Sequence, residues 1–161
     1  MVDIDGVPFI LDFLPQETPD HTRIHAFYDH LREGRFTTTK CNGCGAVLWQ
    51  PRVVCPHCNS DDLSWIDLPK EATVYAHTAM VLGAPLGFEG ETPFVIAIVL
   101  LDLGRDGELH LFTRVDDTTY EDLSIGDKVW FKTVDCGGDR IFFRFTATRP
   151  EPGAPPEASC R

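Results

Sequence analysis

Cys41-Asn-Gly-Cys44 and Cys55-Pro-His-Cys58 are two CxxC pairs separated by ten residues. Two residues between cysteines let the backbone fold into a tight knuckle that points both sulfurs at one ion, and Gly45 and Pro56 suit such turns. Paired knuckles offer four soft thiolates in tetrahedral reach of a single metal. Zinc is the first choice and iron the second, because a four-sulfur tetrahedron accommodates either. A pair of disulfides and a set of four reduced, inert cysteines are the competing readings, which the CxxC spacing disfavours. With all four positions filled by sulfur, zinc has no open site for water or substrate, so its role would be structural. His57, inside the second knuckle, reads as exposed turn filler.

Other chemistry is thin. The chain shows no Ser/His/Asp set, no nucleophile elbow and no free cysteine beside a plausible base. His21, His25 and His30 come without a matching carboxylate or cysteine cluster and read as a solvated helix face. Cys136, beside Gly137-Gly138, reads as a strand-end residue, and Cys160 as a free thiol in the tail. Arg32, Arg35, Lys40 and Arg52 set four positive charges against Glu33 in a chain with 14 basic and 25 acidic residues and a net charge of −11. So acidic a chain is a poor binder of phosphate backbones, which argues against nucleic acid as a partner.

The elements that must position these residues follow from local pattern. Thr18-Pro19 reads as a helix start and Gly34 as its stop. Between them Ile24, Phe27, Tyr28 and Leu31 fall at i, i+3, i+4 and i+7, one helical face and a candidate docking surface. Phe9, Ile10, Leu11, Phe13 and Leu14 cluster ahead of it around Asp12, a segment suited to lying on its own domain or on a partner. After the ribbon come strands over 73–82, 94–101, 109–115 and 128–134, the second apolar on both faces as for a strand buried on both sides. Gly104 to Gly107 reads as a turn, and Gly83 to Pro93 as a loop too long for a tight hairpin. In the fifth strand Ile141, Phe143, Phe145 and Ala147 alternate with Arg140, Arg144, Thr146 and Thr148; Phe142 is the exception. Five strands with no long helix between them point to a small Greek-key barrel of the OB type. The expected fold is therefore mainly β, divided into an N-terminal segment and docking helix (1–37), a zinc ribbon (38–67), an OB-fold barrel (68–150) and a proline-rich, disordered tail (151–161). The ribbon is too small to fold without its metal. No stretch approaches the ~20 apolar residues of a membrane span, and the N-terminus lacks a basic region followed by an apolar one; the expectation is a soluble, cytoplasmic protein without a membrane partner.

A helix ending in Leu31-Arg-Glu-Gly-Arg35, a CxxCG knuckle, Pro51-Arg52-x-x-Cys55-Pro56-x-Cys58, Trp65 and a small barrel occur here in that order. The order resembles the zinc-ribbon (rubredoxin-like) plus OB-fold proteins associated with acyl-CoA metabolism, long catalogued as a domain of unknown function. The likeness runs from about residue 20 to 150, with Leu68-Pro-Lys-Glu71 standing where such proteins often carry a glycine-rich step. It implies a non-catalytic accessory subunit in a hetero-oligomer with a thiolase-like enzyme, supporting C–C condensation, cleavage or acyl transfer on CoA thioesters. It also implies one structural zinc per chain and a CoA thioester shared with the partner. Residues of this chain placed to serve that ligand are Arg35, Lys40, Arg52 and, in the loop, Gly87 and Phe88, which could cover an acyl or pantetheine chain.

Two other functions compete. A single-stranded nucleic-acid module would use Tyr75, Phe112, Trp130 and Phe142 as stacking platforms, against the acidic balance. A rubredoxin-like electron carrier would place iron in the same knuckles, and the appended barrel makes it the weaker of the two.

Overall fold

The computed structural model describes residues 3–4, 7–8, 17–84, 89–137, 139–151 and 157–158. The apolar segment from Phe9 to Leu14, the loop residues Gly87 and Phe88, and Cys160 lie outside the described residues. Ahead of the helix, β1 (Asp3–Ile4) and β2 (Val7–Pro8) pair antiparallel.

Helix α1 spans His25–Arg32, much shorter than the Thr18-to-Gly34 expectation. The N–H groups of His21 and Thr22 both donate to the Thr18 carbonyl, closing a turn that does not propagate, and Ile24 begins the helix without a side-chain cap. The other end follows the sequence. Gly34 takes φ +69°, its N–H donates to Leu31 O at 2.9 Å, and Arg35 N donates to His30 O at 2.8 Å. That pair of bonds is a Schellman stop, which asks for a residue tolerant of left-handed backbone.

Three short strands make the ribbon sheet: β3 (Thr37–Cys41) lies between β4 (Val47–Leu48) and β5 (Leu63–Asp67), both antiparallel to it. Five longer strands make the barrel: β6 (Glu71–Met80), β7 (Phe94–Asp102), β8 (Glu108–Asp116), β9 (Lys128–Gly137) and β10 (Arg140–Thr146). β6 pairs with β7, β7 with β8, β8 with β10, β10 with β9 and β9 back to β6, all antiparallel except the β8–β10 contact. That cycle leaves no free edge and is the closed five-stranded OB barrel. Gly104–Asp106 forms a 3₁₀ turn between β7 and β8, as the sequence indicates.

β7 differs from expectation. Val95, Ala97, Val99 and Leu101 fill the barrel, while Ile98 on the other face is exposed. The strand is fully buried on one side, and its second apolar row faces outward, where among the described residues no layer covers Ile98. In the tail, β11 (Glu157–Ala158) pairs in parallel with Val134 and Asp135 of β9. Cys136 lies near the end of β9 as expected, buried and disulfide-bonded.

Ribbon and barrel share one core through Phe36. Its ring stacks on Phe131 with centroids 4.6 Å apart and meets Trp49, Phe143 and Phe145 at 5.6, 5.4 and 5.9 Å. The Phe36 carbonyl accepts from Leu68 N at 2.7 Å, tying the strand entering the ribbon to the one leaving it. A second, smaller core of Cys41, Leu48 and Cys55, flanked by Ala46 and Leu63, lies inside the ribbon.

Candidate metal centre and apolar cavity

The two knuckles are built alike. Gly45 N donates to Cys41 O and Cys41 N to Ala46 O; likewise Asn59 N donates to Cys55 O and Cys55 N to Ser60 O. The equivalent residues Gly45 and Asn59 both adopt positive φ, +77° and +58°. Glycine and asparagine are the residues that enter this region at least cost, so the local sequence dictates the turn. Asn42 ties the first knuckle down by donating to Asp62 at 2.7 Å and Ser64 at 2.8 Å.

The four sulfurs converge. All lie within 4.8 Å of one another, with Cys41–Cys58 at 3.5 Å and Cys44–Cys55 at 3.6 Å. A tetrahedron with metal–sulfur bonds of about 2.3 Å has edges of about 3.8 Å, so the quartet fits one zinc ion. Its proton chemistry points the same way. The Cys44 backbone N–H holds the Cys41 thiol down at about 7. At Cys58 the Ser60 N–H favours the thiolate, but desolvation and the sulfurs of Cys41, Cys44 and Cys55 prevail and push the thiol up to about 12. Four thiolates this close require a cation among them. His57 is exposed, in keeping with a turn residue outside the quartet.

The basic residues around the ribbon are mostly engaged by carboxylates. Arg32 binds Glu17 at 2.6 Å and Asp29 at 3.2 Å; Arg35 forks onto Asp67 at 3.0 and 3.2 Å; Lys40 holds Asp106 at 2.6 Å. The hydrogen bond from Arg35 holds the Asp67 carboxyl below its ordinary range. Among the described residues Arg52 is the member of the four with no ion pair; only its backbone N–H is used, on Thr39. His21 and His25 bond Thr18 and Asp29 locally, but His30 departs from a solvated role: its ring bonds the Thr37 hydroxyl at 3.0 Å and packs edge-on against Trp65.

The helix face Ile24, Phe27, Tyr28 and Leu31 turns inward. Phe27, Tyr28 and Leu31 are buried and Ile24 is partly so. They form one wall of a cavity of about 500 Å³ whose other walls are Trp49 and Pro51 of the ribbon and Phe94, Ile96, Phe112 and Phe142 of the barrel. Arg114 and Arg144 also line it. The guanidinium of Arg114 lies over the Phe94 ring, 4.6 Å from its centroid, and pairs with Glu91 and Asp116. Sequence reasoning missed this cluster. Its members come from the 3₁₀ turn Glu89–Glu91 and from β7, β8 and β10, and no local sequence pattern links them.

A four-sulfur ribbon fused through a shared core to a closed barrel defines a two-module zinc-ribbon and OB-fold protein. Residues 29–64 match the family model described as "ChsH2, rubredoxin-like zinc ribbon domain", and residues 65–134 match "ChsH2, C-terminal OB-fold domain". The chain belongs to this family, whose members also carry the name DUF35. A relative named "DUF35 domain-containing scaffold protein" from Methanocaldococcus jannaschii is 32% identical over 91 residues, covering 56% of this chain and 61% of that one. A protein of the same name from Methanothermobacter thermautotrophicus is 27% identical over 95 residues, covering 58% and 67%. The match thus spans somewhat under two thirds of the first relative's length. Among solved structures, "Ltp2-ChsH2(DUF35) aldolase" superposes with a TM-score of 0.65 at 23% identity, covering 80% of this chain and 98% of that one. A DUF35-family protein of unknown function from Sulfolobus solfataricus gives 0.50 at 20% identity, covering 75% and 81%. At these identities the likeness is one of fold.

Proposed function

We propose that this chain is a non-catalytic, zinc-containing subunit of a thiolase-type enzyme acting on CoA thioesters, stabilising the partner and helping to cover its acyl-CoA site. The observation that carries this reading is the coordinatively closed sulfur quartet. A metal saturated by four thiolates organises structure and does not activate substrate. Two relatives named as scaffold proteins support the reading, as does a structural neighbour whose name couples ChsH2 to an aldolase.

In this account the ribbon and barrel act as one rigid body joined at Phe36. Arg52 is the charge of the basic group available to a CoA phosphate, whereas Arg35 and Lys40 would first have to exchange Asp67 and Asp106. Gly87 and Phe88 are assigned to the cover over the partner's site. The helix face shapes the cavity wall, and docking falls to the outward apolar residues Tyr75, Ile98 and Phe112, which sit on adjacent strands with Ile98 directly opposite Phe112.

The test is co-expression with a thiolase-like protein from the source genome, identified by co-purification with this chain. The expected result is a stable complex that cleaves, condenses or transfers acyl-CoA, with activity lost when this chain is omitted. A partner fully active alone overturns the proposal.

A further inference from the structure

Beyond the closed barrel β9 and β10 run on together as a two-stranded arm. β6 pairs with β9 only over Lys128–Trp130 and β8 with β10 only at Phe145 and Thr146, whereas β9 and β10 stay paired out to Gly137 and Arg140. Past Phe131, whose N–H reaches Lys70 O, the second side of β9 is a sheet edge. Among the described residues β11 covers part of it, Glu157 pairing with Val134 and Ala158 with Asp135. Two residue pairs are a weak hold, because so short a strand returns little for the backbone entropy that ordering it costs.

Cys136 stands beside that contact. Asp135 pairs with Ile141 and Gly137 with Arg140, so the β9–β10 ladder skips Cys136, the extra residue of a bulge. Cys136 is 5% exposed, lines the apolar cavity and is disulfide-bonded. The chain has six cysteines, and Cys41, Cys44, Cys55 and Cys58 form no disulfide, which leaves Cys160 for it within the chain. The register agrees with that count. Continued two residues beyond Ala158, it sets position 160 level with Gly137. Strands about 4.8 Å apart, offset by one residue of about 3.3 Å, bring two Cα atoms to about 6 Å, inside the disulfide range.

We propose that a Cys136–Cys160 disulfide is a reducible latch that keeps the chain's own tail strand on the outer edge of β9, and that a dithiol reductant opens it. Because Cys136 is buried, the first thiolate of the reductant attacks the Cys160 sulfur. The S–S bond breaks as a mixed disulfide forms, and Cys136 leaves as a thiolate and takes up a proton. The second thiol of the reductant then displaces Cys160, so the protein gains two electrons and two protons and the reductant ends as its own disulfide. A fold resists this exchange to the extent that it holds both sulfurs together. Here one sulfur sits on the arm and the other follows a strand held by two residue pairs, which places the bond among the labile, regulatory kind. Once the tail leaves, the N–H and C=O groups of the β9 edge are open to an added strand. All these residues belong to this chain, so the inference does not rest on the partner-enzyme reading and is measured without a partner.

The experiment equilibrates the zinc-loaded full chain with oxidised or with reduced dithiothreitol, zinc present in both, and divides each sample between tryptic mapping after acid quench and alkylation and hydrogen exchange. In the oxidised sample peptides 133–140 and 145–161 should appear as one disulfide-linked species, and in the reduced sample each should carry the alkyl group. Exchange within 132–137 should be roughly tenfold faster in the reduced sample. Cys160→Ser changes the tail and leaves the buried Cys136 in place, so it should show the fast exchange in both buffers with zinc content unchanged. Alkylation of both cysteines in the oxidised sample, a link from Cys136 to a second chain, or the same exchange within 132–137 in both buffers each overturns the proposal.

Discussion

At the scale of single residues, the cysteines and one glutamate carry most of the weight. Cys41→Ser removes one of four thiolates and leaves three crowded sulfurs without a closed tetrahedron. Zinc content measured by atomic emission should fall from one per chain to near zero, and the ribbon should unfold, since metal affinity is folding free energy in such modules. Glu17 is 3% exposed and accepts from Ile141 N at 2.9 Å and from Arg32 at 2.6 Å, pinning the chain ahead of the helix to the start of β10. Burial raises its carboxyl above the ordinary value near 4.5 despite those donors. A raised folded-state value means that its ionisation opposes folding. The linked stability is full below about pH 4.5 and is lost as pH rises through the folded value. Glu17→Gln should therefore gain on the parent between pH 4 and pH 7, read from urea midpoints; a difference that is constant with pH, or that runs the other way, contradicts the assignment.

At the scale of elements, Phe36 is the joint. Phe36→Ala vacates a site shared by the ribbon and the barrel and should cost about 3–5 kcal/mol by chemical denaturation. It should also uncouple the units, so that zinc removal no longer lowers the melting temperature of the barrel. Gly34→Ala should cost about 1 kcal/mol from left-handed backbone strain alone, because an added Cβ at this position meets nothing within 4 Å. Much of this level is legible in the sequence where the cause is local. The cysteine spacing gives the knuckles, alternation gives β10, and Gly34 gives the helix stop. The helix start is misread because Thr18-Pro19 carries the local signal of a cap, whereas Glu17 is fixed by contacts to Ile141 and Arg32 far along the chain. The ion cluster of Glu91, Arg114, Asp116, Lys132 and Arg144 leaves no sequence pattern at all, because barrel closure alone brings its members together. The basic patch is the converse case: four cations adjacent along the chain are mostly neutralised by carboxylates brought from elsewhere.

At the scale of the whole molecule, the sulfur quartet lies in a ribbon that shares its core with the barrel, and the proposed docking face is formed by the outward apolar residues of β6 to β8. Among the described residues no helix is long and apolar enough to cross a membrane. Ile98→Asp places a charge on an exposed position in the middle of the proposed docking face, so it should abolish assembly with a thiolase-type partner while shifting the melting temperature of the isolated chain little. The most direct measurement is acyl-CoA turnover by that partner with the zinc-loaded chain, with Cys41→Ser and with no addition. The account predicts turnover only with the zinc-loaded chain, appearing together with the complex on a sizing column. Full turnover by the partner alone, or restored by a Cys41→Ser chain that has lost its metal, would contradict it.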